Sequence, residues 1–408
     1  MKAIHYLLFC LVVSVSSQAQ SWWNQTSNTS RNLTNINFLD TYRGFSFGDT
    51  LSTTRKTTSS GVNWGTVNMA YTKGKIRSSA FLNPSTLIAV GVHDKPNGKG
   101  IIFKTQNDGN TWSVDTNITE KLFDVSFVSA STGWISGENG YVAKSTNWGS
   151  TWLTLNTGTG EDLFSVYFVN LNEGWVVGTV DTSAVILKTT NGGTNWTRQS
   201  SGILDQLFSV FFVNNMNGWA VGANGTILST LNGGTNWVQQ ISGVQVDLFD
   251  VAFTSTLKGW AVGGNGTILK TVDGGITWTQ ETSGTSEDLK SISMKSDTRG
   301  WICGDGGTIL VYGMNPPSNI NELNTAFSNV TVFPNPASEF IKIEMNSEIV
   351  TDWEFNLFDS SGKMVFAKAG NGDEIIPISP NYLSEGLYFY SLVSGEGIIK
   401  KGKLVIQQ

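Results

Sequence analysis

One pattern limits what this chain can become: an eight-residue segment ending in tryptophan returns six times, about once every forty residues. The copies end at Trp64, Trp112, Trp152, Trp196, Trp237 and Trp278; their first place is always Thr or Ser and their fifth always Gly. A fixed period of this length marks a repeat architecture, in which one supersecondary unit is copied and stacked. Such a scaffold says little about its ligand. Only 14% of the residues are charged, while 45 are glycine and 15 tryptophan, a mixture that suits short strands and tight turns.

The unit is clearest from Leu207 to Val246. LFSVFFV, apolar on nearly every residue, is predicted to be a first strand buried on both faces. Gly218-Trp219 opens a second strand, Asn224-Gly225 is a hairpin turn, Thr226 to Thr230 form a third strand, and Trp237 opens a fourth. First strands begin in the same way at Leu122, Leu163, Leu248 and Leu289, and weaker copies occupy Asn35 to Phe45 and Ser78 to Val90. That makes seven inner halves. The last, Leu289 to Tyr312, ends before any octad, whereas Trp23-Asn-Gln-Thr-Ser near the other end resembles the fourth strand at Trp278. The split predicts a ring: an all-β, seven-bladed β-propeller over residues 20–315, closed by its N-terminal strand. A solenoid would need end caps rather than complementary halves.

Residues 1–19 read as a signal peptide, with Lys2, an apolar run from Leu7 to Val15, and cleavage after Ala19. No later stretch is long enough to span a bilayer as a helix. Cleavage would take the net charge from −6 to −7, which argues against nucleic acid as a partner. It would also leave one cysteine, Cys303, and one histidine, His93, so neither a disulfide nor a Cys/His zinc site can be assembled. His93 sits in GVHDKPNGKG and reads as a solvated loop histidine.

The octad resembles the aspartate box of sialidases and other propellers, although only Asp273 keeps the aspartate; Asn107, Asn147, Asn191 and Asn232 replace it, and Ser59 does so once. Asn and Asp both accept backbone N–H bonds in turns, so the box is expected to serve folding. The whole repeat, LFxVxFV followed by GWxVGxNGTILKTxDGGxxW, resembles the Ycf48-like photosystem II assembly-factor family over roughly residues 33 to 312. That resemblance implies a seven-bladed propeller, without the family's basic patch. The six arginines, Arg31, Arg43, Arg55, Arg77, Arg198 and Arg299, do not form a sialidase triad. No catalytic residue, metal or cofactor is expected.

Acidic residues recur just before the first strands: Glu120, Asp162, Asp205, Asp247 and Asp288. In a ring these loops share one rim with the second-to-third-strand turns, which carry Glu138, Asp181 and Asp305. Such a rim would favour a cation or a basic partner. Alternatively, the carboxylates bond their own turns.

After a linker over 316–326 a second all-β segment begins, predicted to be a small β-sandwich. Phe333-Pro334-Asn335-Pro336, Leu383-Ser-Glu-Gly386-Leu-Tyr388 and Gly402-Lys-Leu-Val resemble the type A C-terminal sorting domain of the type IX secretion system of Bacteroidetes, over residues 327–408. The resemblance implies the type IX machinery as a partner, with Pro334, Asn335, Pro336, Gly386 and Tyr388 as sorting-motif residues. The expected protein is a non-enzymatic, secreted or surface-attached binding scaffold for an extracellular protein or glycan. The rival is a glycan-processing or glycan-binding protein; a carboxylate pair facing across the channel mouth would favour the enzyme.

Overall fold

The computed structural model of the chain describes residues 20–69, 71, 73–94, 98–180, 183–313, 330–335, 337–345, 353–359, 364–370, 374–377, 383, 385–394 and 397–407. The expected leader and linker lie outside these. The described residues form strands and four single-turn 3-10 segments, with no α-helix, and fall into two compact units.

In the unit Ser21–Gly313, the strands pair into seven four-stranded antiparallel sheets. Six run in chain order. The seventh takes Leu289–Ser296, Arg299–Gly304 and Ile309–Gly313 from one end of the unit and Ser21–Gln25 from the other, with Trp23 opposite Val311. First strands of successive sheets lie side by side, and Leu289–Ser296 lies beside Leu33–Phe38.

The sheet from Leu207 to Gln240 shows why the motif reads as it does. Its strands are Leu207–Phe212, Gly218–Gly222, Ile227–Thr230 and Val238–Gln240, so the fourth opens one residue after Trp237. In the turn Ala223–Gly225, Asn224 and Gly225 take φ of 54° and 72°, the left-handed region that Asn and Gly tolerate best. The octad turn is held from within. The Thr230 hydroxyl accepts the Gly234 N–H at 2.8 Å, and Asn232 Oδ1 accepts the Asn236 N–H at 2.9 Å. An acceptor oxygen is all the third place requires, which explains why Asn, and once Ser59, whose hydroxyl accepts the Asn63 N–H at 3.1 Å, substitute for Asp. At Asp273 the Thr277 hydroxyl and N–H hold the carboxyl down at about 2.

Packing between sheets rests on a repeated layer. The Phe212 ring stacks on Trp175 of the preceding sheet at 3.6 Å and meets Trp237 edge-on at 5.9 Å. It also covers Gly218, where an added Cβ would come within 2.3 Å of the ring, so that place excludes a side chain. Trp219 in turn stacks on Phe253 of the next sheet at 3.5 Å and donates its indole N–H to Gly274 O at 3.0 Å. Between the seventh sheet and the first, Trp301 stacks on Phe38 at 3.5 Å and donates to Ser60 O at 3.1 Å, the same device.

Three expectations need correction. Phe208 and Phe211 are half-buried, not buried on both faces, because the first strand is an edge strand of its sheet, with a β-bulge between Leu207 and Ser209. His93 is buried, with Nε2 2.7 Å from the Tyr71 hydroxyl, so it is not a solvated loop residue. In the N-terminal strand the more deeply buried ring is Trp22, which packs on Tyr312 at 4.9 Å and donates to Glu281 at 2.8 Å.

The second unit holds a three-stranded sheet, Val330–Phe333, Phe340–Met345 and Glu374–Pro377, and a four-stranded sheet, Met364–Gly370, Trp353–Phe358, Gly386–Ser394 and Gly397–Ile406. Ile341, Ile343, Phe355, Leu357, Leu392 and Leu404 form its core. Asn335 acts as a backbone substitute: its amide donates to Lys403 O at 2.8 Å and accepts the Val405 N–H at 2.9 Å, pinning the last strand. Tyr388 is buried and Gly386 is exposed; Pro336 lies outside the described residues.

Candidate functional site

The loops entering the first strands and the second-to-third-strand turns meet across sheet boundaries. Each turn places a left-handed residue whose N–H points at the next sheet: Asn139 donates to Asp162 at 3.1 Å, Asn224 to Asp247 at 3.1 Å, and Asn265 to Asp288 at 3.0 Å. Gly306 makes the matching bond to Asn32 at 3.1 Å, between the seventh sheet and the first. Asp205 accepts from the Asn224 amide at 2.8 Å and the Thr226 hydroxyl at 3.1 Å, within its own sheet. Glu138 pairs with Lys121 at 2.7 Å, Glu120 accepts the Thr119 hydroxyl at 2.6 Å, and Asp305 lies 3.5 Å from Lys290. Asp181 lies outside the described residues. The seven described acids therefore occupy one set of loops, and all of them also bond structure around them. Among the described residues, no lysine or arginine lies within ion-pair distance of Asp162, Asp205 or Asp247.

At the inner end of the sheets two further rows appear. The second place of the first strand is Thr34, Arg77, Phe123, Phe164, Phe208, Phe249 and Lys290 around the molecule. The four phenylalanines are half-buried, with centroids 5.3, 6.0 and 6.0 Å apart in succession, and Lys290 Nζ sits 4.1 Å over the Phe249 ring. The third place carries Asn35, Ser78, Asp124, Ser165, Ser209, Asp250 and Ser291. Asp124 accepts from the Ser78 hydroxyl at 2.6 Å, the Ser165 hydroxyl at 2.8 Å, and the N–H groups of Val125 and Val166 at 2.8 and 2.9 Å. Asp250 accepts from the Ser209 hydroxyl and the Val251 and Ile292 N–H groups, each at 2.9 Å. Each carboxylate thus clasps three sheets. Both oxygens of each accept hydrogen bonds from the fold, with Asp250 Oδ2 taking the Ile292 N–H alone.

Close enclosure by protein raises the Asp124 carboxyl above its usual range and pushes Asp250 up to about 6; their hydrogen-bond donors oppose this, and Asp124 adds repulsion at Asp250. Lys290, with the Asn265 N–H, instead holds Asp288 below the usual carboxylate range. Because the folded Asp250 binds its proton more tightly than the unfolded chain does, its contribution to stability is full below about pH 4 and is lost as pH climbs through about 6. Thermal melts of wild type and Asp250→Asn should therefore differ in pH slope. The wild type should gain on the order of 1–2 kcal/mol relative to the variant between about pH 7 and pH 4.5. Parallel slopes would remove Asp250 as the cause.

At the other end of the first strands, a depression of about 420 Å³ is lined by Val128, Tyr167, Val169 and Val213 with Asn170 and Asn214. Burial pushes the Tyr167 phenol up to about 12. Among the described residues, no group of three or more His, Cys, Asp or Glu side chains could hold a metal ion. The phenylalanine arc and the two clasping aspartates escaped the sequence reading. Their signal was present, as Leu-Phe repeated at four first strands and as a charged residue within LFDVSFV and LFDVAF, but periodicity alone does not say which side chains of a strand stay half-exposed or which neighbouring sheets they meet.

Repeated four-stranded sheets with adjacent first strands define the class: this is a β-propeller. The model of the family described as "Photosynthesis system II assembly factor YCF48" matches residues 104–203 and 241–323, and that described as "Secretion system C-terminal sorting domain" matches 331–407. No curated protein matches the chain. The structure of "YCF48 bound to D1 peptide" is similar with a TM-score of 0.59 at 18% identity, covering 72% of this chain and 95% of that one. The WD40 propeller domain of Doa1 gives 0.61 at 10%, covering 73% and 98%. An inactive virginiamycin B lyase from Staphylococcus aureus, solved with quinupristin, gives 0.56 at 12%, covering 72% and 99%. At these identities the likeness is one of fold. The tail match points to the type IX secretion machinery and to export to the cell surface or the extracellular space. No helix among the described residues is long and apolar enough to cross a membrane.

Proposed function

We propose that residues 20–315 form a closed, seven-bladed propeller that binds an extracellular partner, and that residues 327–408 serve as its type IX export signal. Closure is supported by Trp301, Phe38, Gly306 and Asn32, which repeat at the last junction the stack of Trp219 on Phe253 and the turn bond of Asn224 to Asp247. The reading of binding without catalysis rests chiefly on one observation: the two inner carboxylates spend both oxygens on backbone and serine donors. The face carrying Glu120, Glu138, Asp162, Asp181, Asp205, Asp247, Asp288 and Asp305 is the proposed binding face. A peptide is the favoured class of ligand, since a similar propeller has been solved with a peptide.

The test is a peptide and glycan screen of the exported chain, run beside a variant with Asp162, Asp205, Asp247 and Asp288 changed to Asn. Asn keeps the acceptor oxygen for the turns and removes the charge. Binding that weakens in the variant and with added salt supports the face; equal binding by both forms rejects it. Turnover of a glycan would reject the non-catalytic reading. Removal of residues 327–408 should leave the propeller inside the cell envelope, and its undiminished appearance outside would reject the export signal.

A further inference from the structure

The half-buried phenylalanines are the feature that packing leaves unexplained. Leu122, Leu163, Leu207 and Leu248, each one residue earlier, are fully buried, as ordinary core residues would be. Phe123, Phe164, Phe208 and Phe249 instead form an unbroken aromatic arc open to solvent on one side. A benzene ring presents its negative face to a cation, and the attraction grows when the cation is partly desolvated. The arc already serves this purpose once, because Lys290 Nζ stands 4.1 Å over Phe249, its charge balanced by Asp288 at 2.8 Å and Asp305 at 3.5 Å.

The charges around the arc select the same kind of ligand. Arg77 and Lys290 occupy the places at its two ends. Phe164 and Phe208 lie farthest from both, and their strands follow Asp162 and Asp205, with Asp247 leading into the next. These three carboxylates have turn bonds but no ion-pair partner among the described residues. One place further along the strands, Asp124 and Asp250 add negative charge on the inner side. An anion would meet carboxylates both before and behind the rings, whereas a cation is favoured at both.

We propose that this mouth takes the guanidinium of an arginine side chain from an extended basic peptide of a partner protein, stacked on Phe164 and Phe208 with Asp162, Asp205 and Asp247 around it. The inference rests on the acidic face being the binding face, and adds which residue of the partner is recognised. Guanidinium is preferred to ammonium because its flat, weakly hydrated surface stacks on rings.

The test uses the exported chain from residue 20 to 408 and a short uncharged peptide carrying one central arginine, with citrulline, lysine and glutamate versions as comparators. Binding is measured calorimetrically. The arginine peptide should bind, and citrulline, which keeps the shape and loses the charge, should bind about tenfold more weakly or not at all. Phe164→Leu with Phe208→Leu, which keeps apolar bulk without the ring face, should weaken arginine binding about tenfold while leaving the near-ultraviolet circular dichroism and Tm close to wild type. Equal binding of arginine and citrulline, or of wild type and the folded leucine variant, overturns the proposal. So does failure of the arginine peptide to bind wild type. If a partner from the wider screen still loses affinity in the Asp→Asn variant but not in the leucine variant, the face reading stands and the arginine mouth falls. If the Asp→Asn variant binds that partner as wild type does, the face reading falls as well.

Discussion

Removal of residues 20–25 is expected to lower the melting temperature of the propeller by roughly 10 °C or more and to make it prone to association. The strand Ser21–Gln25 is the fourth strand of a sheet whose other three come from Leu289 to Gly313. Without it, the backbone of Ile309–Gly313 becomes an open edge, a template for pairing with another chain. Trp22, buried against Tyr312 and hydrogen-bonded to Glu281, is lost too, and one buried aromatic alone is worth about 3–5 kcal/mol. Gln25 goes with them; its amide donates to Ser60 O at 3.1 Å and so ties the last sheet to the first. Supplying Ser21–Gln25 as a separate peptide should restore part of the stability. A truncated protein that melts with the wild type would mean the propeller's stability does not depend on its N-terminal strand.

The second large effect separates two tryptophans that look alike in the sequence. Trp219→Ala should cost about 3–5 kcal/mol, since its ring is buried and stacked on Phe253. Trp219→Phe keeps much of the stack but loses the bond to the Gly274 carbonyl, which is left with the Gln240 amide alone at 3.2 Å, and should cost about 0.5–1.5 kcal/mol more than Trp260→Phe. The reason lies in the split blade. Trp134, Trp175, Trp219 and Trp301 each donate to a carbonyl of an octad turn in the next sheet. The sheet after Trp260 has no octad, because its fourth strand arrives from the N-terminus, and Trp260 Nε1 is buried without a hydrogen-bond partner among the described residues. Replacing Trp260 by Phe thus removes an unmet donor as well as ring area. Chemical denaturation of the two Phe variants measures the difference directly, and equal losses would refute the account.

Much of the architecture was legible in one dimension because it is written in spacing. The octad places Asn or Asp and Gly where one turn geometry uses both, so Asn232 announced an acceptor for a backbone N–H and Gly234 a positive φ, while the bond from Gly234 to the Thr230 hydroxyl had to be seen. Counting halves paired Trp23 with the last sheet, since an unmatched fourth strand at one end answers an unmatched inner half at the other. Asn335 and Tyr388 stood out by motif, though why Asn335 matters, as a clamp on the final strand, is visible only in three dimensions.

What the linear pattern left open was direction. LFSVFFV is apolar at nearly every place, and nothing in its composition says that Phe208 stays half-exposed while Leu207 lies wholly in the core. Nor could it say that Asp124 and Asp250 each bind donors from three sheets, or that Asp162, Asp247 and Asp288 receive N–H groups from the sheet before them. Spacing along the chain encodes bonds made within a few residues. The surroundings of an inner strand are supplied by other copies of the repeat about forty residues away, and they exist only once the sheets stand side by side.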